Sequence, residues 1–105
     1  MKNQPSFSRE NRNVEFIGFT PDDSLRQFIA CRVEDLLERV PLGSKCKLII
    51  QQEKEKLDLQ MNILLDTLWG PVAHKVVNLP RTHLRDAFEQ VKEKIGRSRY
   101  LLPDL

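Results

Sequence analysis

The chain has 105 residues, 40% of them hydrophobic and 30% charged, with a formal net charge of +2. That length and composition describe one globular domain with a single core and exclude a disordered chain. So small a positive excess also excludes a global field that would hold the protein on a polyanion, so electrostatic binding has to come from how the charges are arranged. No apolar run approaches the ~18 residues of a membrane span. The polar stretch from Met1 to Asn13 lacks the apolar segment of a secretory signal. Cys31 and Cys46 each sit in an apolar pattern and form no CxxC pair, as expected of reduced, buried thiols. The expected compartment is the cytoplasm.

Residues 1–13 show no periodicity and read as a flexible tail with a slight basic bias from Lys2, Arg9 and Arg12, so that 14–105 forms the single domain. Val14 to Phe19 alternates as a first strand. Thr20-Pro21-Asp22-Asp23 then has the composition of a helix start, with Thr20 as cap and Pro21 in the first position. Leu25, Phe28, Ile29, Val33, Leu36, Leu37 and Val40 follow at three- and four-residue spacing and predict a helix of about five turns, stopped by Pro41-Leu42-Gly43. Lys45 to Gln52 reads as a second strand, and Glu53-Lys54-Glu55 as a turn. Leu57, Leu59, Met61, Ile63 and Leu65 alternate with mostly polar residues and predict a third strand with one buried face, directed at Phe28, Phe88 and Val91. Asp66 to Pro71 is a turn, with Trp69 read as a lid over one end of the core or, in the other reading, as an exposed stacking platform for a base, and Val72 to Asn78 is a fourth strand. Leu84, Ala87, Phe88, Val91 and Ile95 form the apolar stripe of a last helix. The expected fold is therefore α+β, in the order β-α-β-β-β-α, with both helices on one face of a four-stranded sheet.

Chemistry is hard to find along this order. His74 and His83 have no partner at metal-ligand spacing, and there is no HxxxH, P-loop, GxSxG or GxGxxG. The expectation is a protein without catalytic residues, metal or cofactor, acting by binding. The functional signal that remains is basic: the first helix carries Arg26, Arg32 and Arg39 and the last Arg81, Arg85, Lys92, Lys94, Arg97 and Arg99, of which Arg26, Arg32, Lys92, Lys94, Arg97 and Arg99 are singled out as candidate contacts. One reading is a basic surface shared by two helices and suited to phosphates. The other is an ordinary solvated pair of faces with local ion pairs such as Glu89 with Lys92.

Two stretches carry a resemblance. Ser24-Leu25-Arg26-Gln27-Phe28-Ile29 resembles the opening of the first helix of the ribosome hibernation-promoting factors, also called ribosome-associated inhibitors or sigma-54 modulation proteins. Ala87 to Ile95 resembles that family's last helix, and the order of elements over residues 14 to 98 is that family's order. The resemblance implies a fold like that of double-stranded RNA-binding domains. It also implies a cytoplasmic, stress-related protein that binds the ribosomal RNA of the small ribosomal subunit and inhibits translation. Arg26, Arg32, Lys94 and Arg97 match basic or motif positions of the family, and Lys92 and Arg99 extend that set. The alternative is a protein–protein interaction module using a sheet edge or the apolar stretch Tyr100-Leu101-Leu102.

Overall fold

The computed structural model describes the backbone of residues 7–9, 11–53 and 55–101, and the side chains of 11–53 and 55–98. Four principal strands and two helices follow one another as β2 (Arg12–Ile17), α1 (Asp23–Leu37), β3 (Lys45–Gln52), β4 (Leu59–Thr67), β5 (Gly70–Leu79) and α2 (Leu84–Leu101). A three-residue strand, β1 (Phe7–Arg9), precedes them and pairs antiparallel with β2, with Phe7 opposite Val14. The segment expected to be a tail therefore contributes to the sheet through 7–9 and through Arg12 and Asn13, while the ends of the chain lie outside the described residues. The sheet order is β1-β2-β3-β4-β5. β2 and β3 run parallel, joined by the α1 crossover, and β3, β4 and β5 form an antiparallel meander.

Strand β4 decides where the helices go. Leu59, Met61, Ile63 and Leu65 are all within 1% of complete burial, while Asn62, Leu64 and Asp66 face the other way and are exposed. Side chains alternate across a strand, so a single apolar set can be covered from one side only. Val14 and Phe16 of β2, and Cys46, Leu48 and Ile50 of β3, continue that face. Against it α1 lays Ile29, Val33 and Leu36, and α2 lays Leu84, Ala87, Phe88, Val91 and Ile95. Phe28 and Phe88 meet edge to face, 6.2 Å between centroids, where the helices touch.

Four local expectations change. Leu57 lies before β4 begins and is 86% exposed, so it faces neither Phe28 nor Phe88. Helix α1 is capped by Asp22 rather than Thr20: the Asp22 carboxylate accepts the Leu25 N–H at 2.8 Å, and Pro21 is buried outside the helix. At its other end α1 stops at Leu37, because Pro41 disfavours helical backbone at the residue before it. Val40 therefore packs into the core from beyond the helix. The β4–β5 turn is also tighter than expected. Thr67 pairs with Gly70, whose φ is +105°, and the Thr67 hydroxyl accepts the Trp69 N–H and donates to the Gly70 carbonyl. Trp69 packs partly buried against the core, as a lid does. No helix among the described residues is long and apolar enough to cross a membrane.

The two thiols are in opposite settings: Cys31 is exposed, contrary to the expectation of burial, and Cys46 is buried. Cys31 projects from the outer side of α1, away from the line of Ile29, Val33 and Leu36 that meets the sheet. Burial pushes the Cys46 thiol up to about 12, an effect that the nearby Arg12 charge only partly offsets. Two outcomes follow. A thiol reagent should modify Cys31 quickly in the native protein and reach Cys46 only on unfolding. Because the folded state disfavours the Cys46 thiolate, its contribution to stability is complete below the ordinary thiol value of 9.0 and is lost as pH rises towards about 12. A Cys46→Ala variant should lose less stability than the wild type across that window; parallel alkaline melting curves would contradict the assignment. In the core, Ile63→Ala should cost about 2–5 kcal/mol in urea unfolding, whereas Leu57→Ala should stay within about 0.5 kcal/mol.

Candidate nucleic-acid interface

Both helices run in the same direction, since Phe28 meets Phe88 and, seven residues further along α1, Asp35 meets Lys92. Their outer surfaces border a common seam. On α1 that seam carries Phe28, Arg32, Asp35 and Arg39, at three- and four-residue spacing along one line. On α2 it carries Arg85, Glu89 and Lys92 at the same kind of spacing.

The expected basic residues fall into separate groups around this seam. Arg32 lies in it, half-buried, with its guanidinium 5.0 Å from the centroid of the Phe28 ring. Lys92 bridges it, 3.4 Å from Asp35 of α1 and 3.1 Å from Glu89 of its own helix. Arg26 lies on the other flank of α1, on one line with Ala30 and Glu34, and Glu34 reaches Arg12 of β2 at 3.5 Å. Arg26 itself sits 3.8 Å from Asp23. Lys94 faces away from α1 and donates to the Ala73 carbonyl of the outermost strand β5 at 2.8 Å. Beside it, Gln90 pairs with His74 of β5, also at 2.8 Å. Arg97, one turn beyond Lys94, continues that flank, is exposed and has no carboxylate partner among the described residues. The side chain of Arg99 lies outside the described residues, as do Tyr100-Leu101-Leu102 as a side-chain surface.

A single continuous basic strip is therefore not what the helices present. Residues two apart on a helix are separated by about 200°, so Lys92 and Lys94 take opposite flanks. Carboxylates also neutralise much of the charge, since Asp35 serves both Lys92 and Arg39, the latter at 3.6 Å. Five cations of the helical layer have no carboxylate partner among the described residues: Lys94, which is held by the Ala73 carbonyl, and Arg32, Arg81, Arg85 and Arg97. Arg81 lies 5.4 Å from the centroid of the Phe19 ring at the start of α2. Arg81 and Arg85 stand outside the set singled out from sequence. The signal for Arg85 was its spacing, four residues before Glu89 and seven before Lys92.

Comparison with family models and with curated proteins gives no match. What the site can do therefore rests on its own geometry. Exposed guanidinium groups over and beside aromatic rings suit phosphate and base edges, because the planar fork donates to oxygens while its face stacks. No group of three or more His, Cys, Asp or Glu side chains that could hold a metal occurs among the described residues. His83 is exposed, and His74 is held by Gln90.

Because Lys94 contacts the backbone of β5 and Arg97 has no ion pair among the described residues, the two should separate in stability measurements. Lys94→Ala should cost about 0.5–1 kcal/mol in urea unfolding, and Arg97→Ala should stay within about 0.5 kcal/mol. Equal effects would contradict the assigned contact.

Proposed function

We propose that this protein binds the ribosomal RNA of the small ribosomal subunit through its helical layer and thereby slows translation, in the manner of the hibernation-promoting factors. The observation that carries the reading is architectural. The order β-α-β-β-β-α, with both helices parallel on one sheet face, is the order implied by the resemblance of the Ser24–Ile29 and Ala87–Ile95 stretches. In this reading phosphates are met by the unneutralised cations Arg32, Arg81, Arg85 and Arg97, with Arg26 and Lys92 recruited from their weak, exposed pairs. Shape and backbone rather than base sequence are recognised, as for structured RNA in general. Binding requires neither cofactor nor metal, and no catalytic step is part of the proposal.

One observation favours the protein-binding alternative. The sheet face opposite the helices is covered by no described element, and Ile17, Leu64 and Val77 are 43, 44 and 53% exposed there. The outer edge of β5 speaks less for it, because Lys94 already occupies a carbonyl of that strand.

The two faces can be tested against each other. Arg85→Glu with Arg97→Glu reverses two exposed charges of the helical layer, and Lys47→Glu with Lys75→Glu reverses two on the open sheet face. In low-salt co-sedimentation with isolated small subunits, the first pair should weaken binding at least tenfold, about 1.4 kcal/mol. The second pair should change it little, and both proteins should melt near the wild-type temperature. Equal loss from the two pairs, or greater loss from the second, would move the protein-binding reading ahead.

A further inference from the structure

A cleft of about 470 Å³ opens where α1 ends, between Arg39 and Val40, Trp69 at the tip of the β4–β5 hairpin, and Lys92, Ile95 and Gly96 of α2. Its size falls within the range of small-molecule sites, about 300–1,000 Å³. Its walls combine the chain's one tryptophan with aliphatic side chains, and two cations border them. Glu38 is in the lining, and Asp35 and Glu89 pair with the two cations, so the cleft has no positive excess, two cations against three carboxylates. The carbonyl end of α1 adds to the negative side, so stacking rather than charge must supply most of the recognition.

Three features make this a built site rather than a gap. Gly96 sits inside α2, where glycine is a poorer helix former than any residue but proline. A Cβ there would meet no described atom within 4 Å, so packing does not require the glycine, and Gly96 is itself part of the cleft lining. The hairpin tip that carries Trp69 is pinned by the Thr67 hydroxyl, through bonds of 3.0 Å to the Trp69 N–H and 2.8 Å to the Gly70 carbonyl. One oxygen of Asp35, Oδ2, lies 3.6 Å from Arg39 Nε and 3.4 Å from Lys92 Nζ and so gathers both cations to one side of the cleft.

We propose that this cleft receives one unstacked nucleotide of single-stranded RNA, its base against Trp69 and its phosphate between Arg39 and Lys92. The proposal deepens the RNA-binding reading above and rests on it for the identity of the RNA. A flat heterocycle fits beside an indole, as in other single-strand sites, and the phosphate of the same nucleotide takes the place of the Asp35 carboxylate at the two cations.

Trp69 is its own reporter. Adenosine 5′-monophosphate, adenosine and inorganic phosphate are titrated separately while tryptophan fluorescence is followed, and co-sedimentation with small subunits is measured on the same proteins. The expected result is saturable quenching by the monophosphate, weaker quenching by adenosine and none by phosphate. Gly96→Leu should weaken the monophosphate at least tenfold with an unchanged circular dichroism spectrum. Arg39→Gln, at an exposed position whose loss leaves the fold intact, should weaken the monophosphate several-fold and leave adenosine unaffected. Absence of saturable quenching, or equal quenching in the wild type and both variants, would overturn the site. If subunits bind but the monophosphate does not quench, the cleft proposal alone fails. If the monophosphate quenches but subunits do not bind, the cleft stands as a nucleotide site and the ribosomal reading fails.

Discussion

Strand β4 has one apolar face, and everything else in the molecule is arranged around covering it. Four side chains at two-residue spacing, from Leu59 to Leu65, are buried almost completely while their neighbours reach solvent. A slip of one residue in the pairing with β3 would turn all four outward, so the register of the sheet and the placement of the helices are fixed together. Two helices are needed to cover a sheet of this width, and the α1 crossover between parallel strands and the closing α2 supply them. Their parallel direction follows, and with it the seam in which Asp35 and Lys92 meet and the cleft at its end.

Most of this frame was legible in the sequence because it depends on spacing. The alternation of β4, the stripes of Ile29, Val33 and Leu36 and of Leu84 to Ile95, and the turn glycine Gly70 are periodic or steric signals that tertiary contacts reinforce. Where the reading shifted, a local competition decided the outcome. Asp22 replaced Thr20 as the cap because its carboxylate reaches the Leu25 N–H, and either residue has a suitable side chain. The short strand β1 has no periodic signature in three residues, and its pairing with β2 is a tertiary event. Leu57 continued the alternation of β4 in sequence, but the strand begins only at Leu59, where pairing with Gln52 starts.

The charges were less legible than the core. Arg26, Arg32, Lys92, Lys94 and Arg97 are all at or near the surface, as their positions off the apolar stripes implied. Which of them are neutralised depends on partners from other elements, and no spacing within one helix reveals that Asp35 of α1 meets Lys92 of α2, or that Lys94 reaches β5. The division of the basic residues between flanks, by contrast, follows from helix geometry alone. Its consequence is physical: few free cations face any one direction, so an RNA complex would involve a small number of phosphates and would be held as much by shape and stacking as by charge.

That consequence can be measured on the unmodified protein. Binding to isolated small ribosomal subunits across a range of monovalent salt gives a slope of log affinity against log salt of about −0.7 to −0.9 for each phosphate neutralised. With Arg32, Arg81, Arg85 and Arg97 as the contacts, the account predicts specific binding with a slope between about −2 and −4. No binding at low salt, or binding whose affinity does not change with salt, would contradict it.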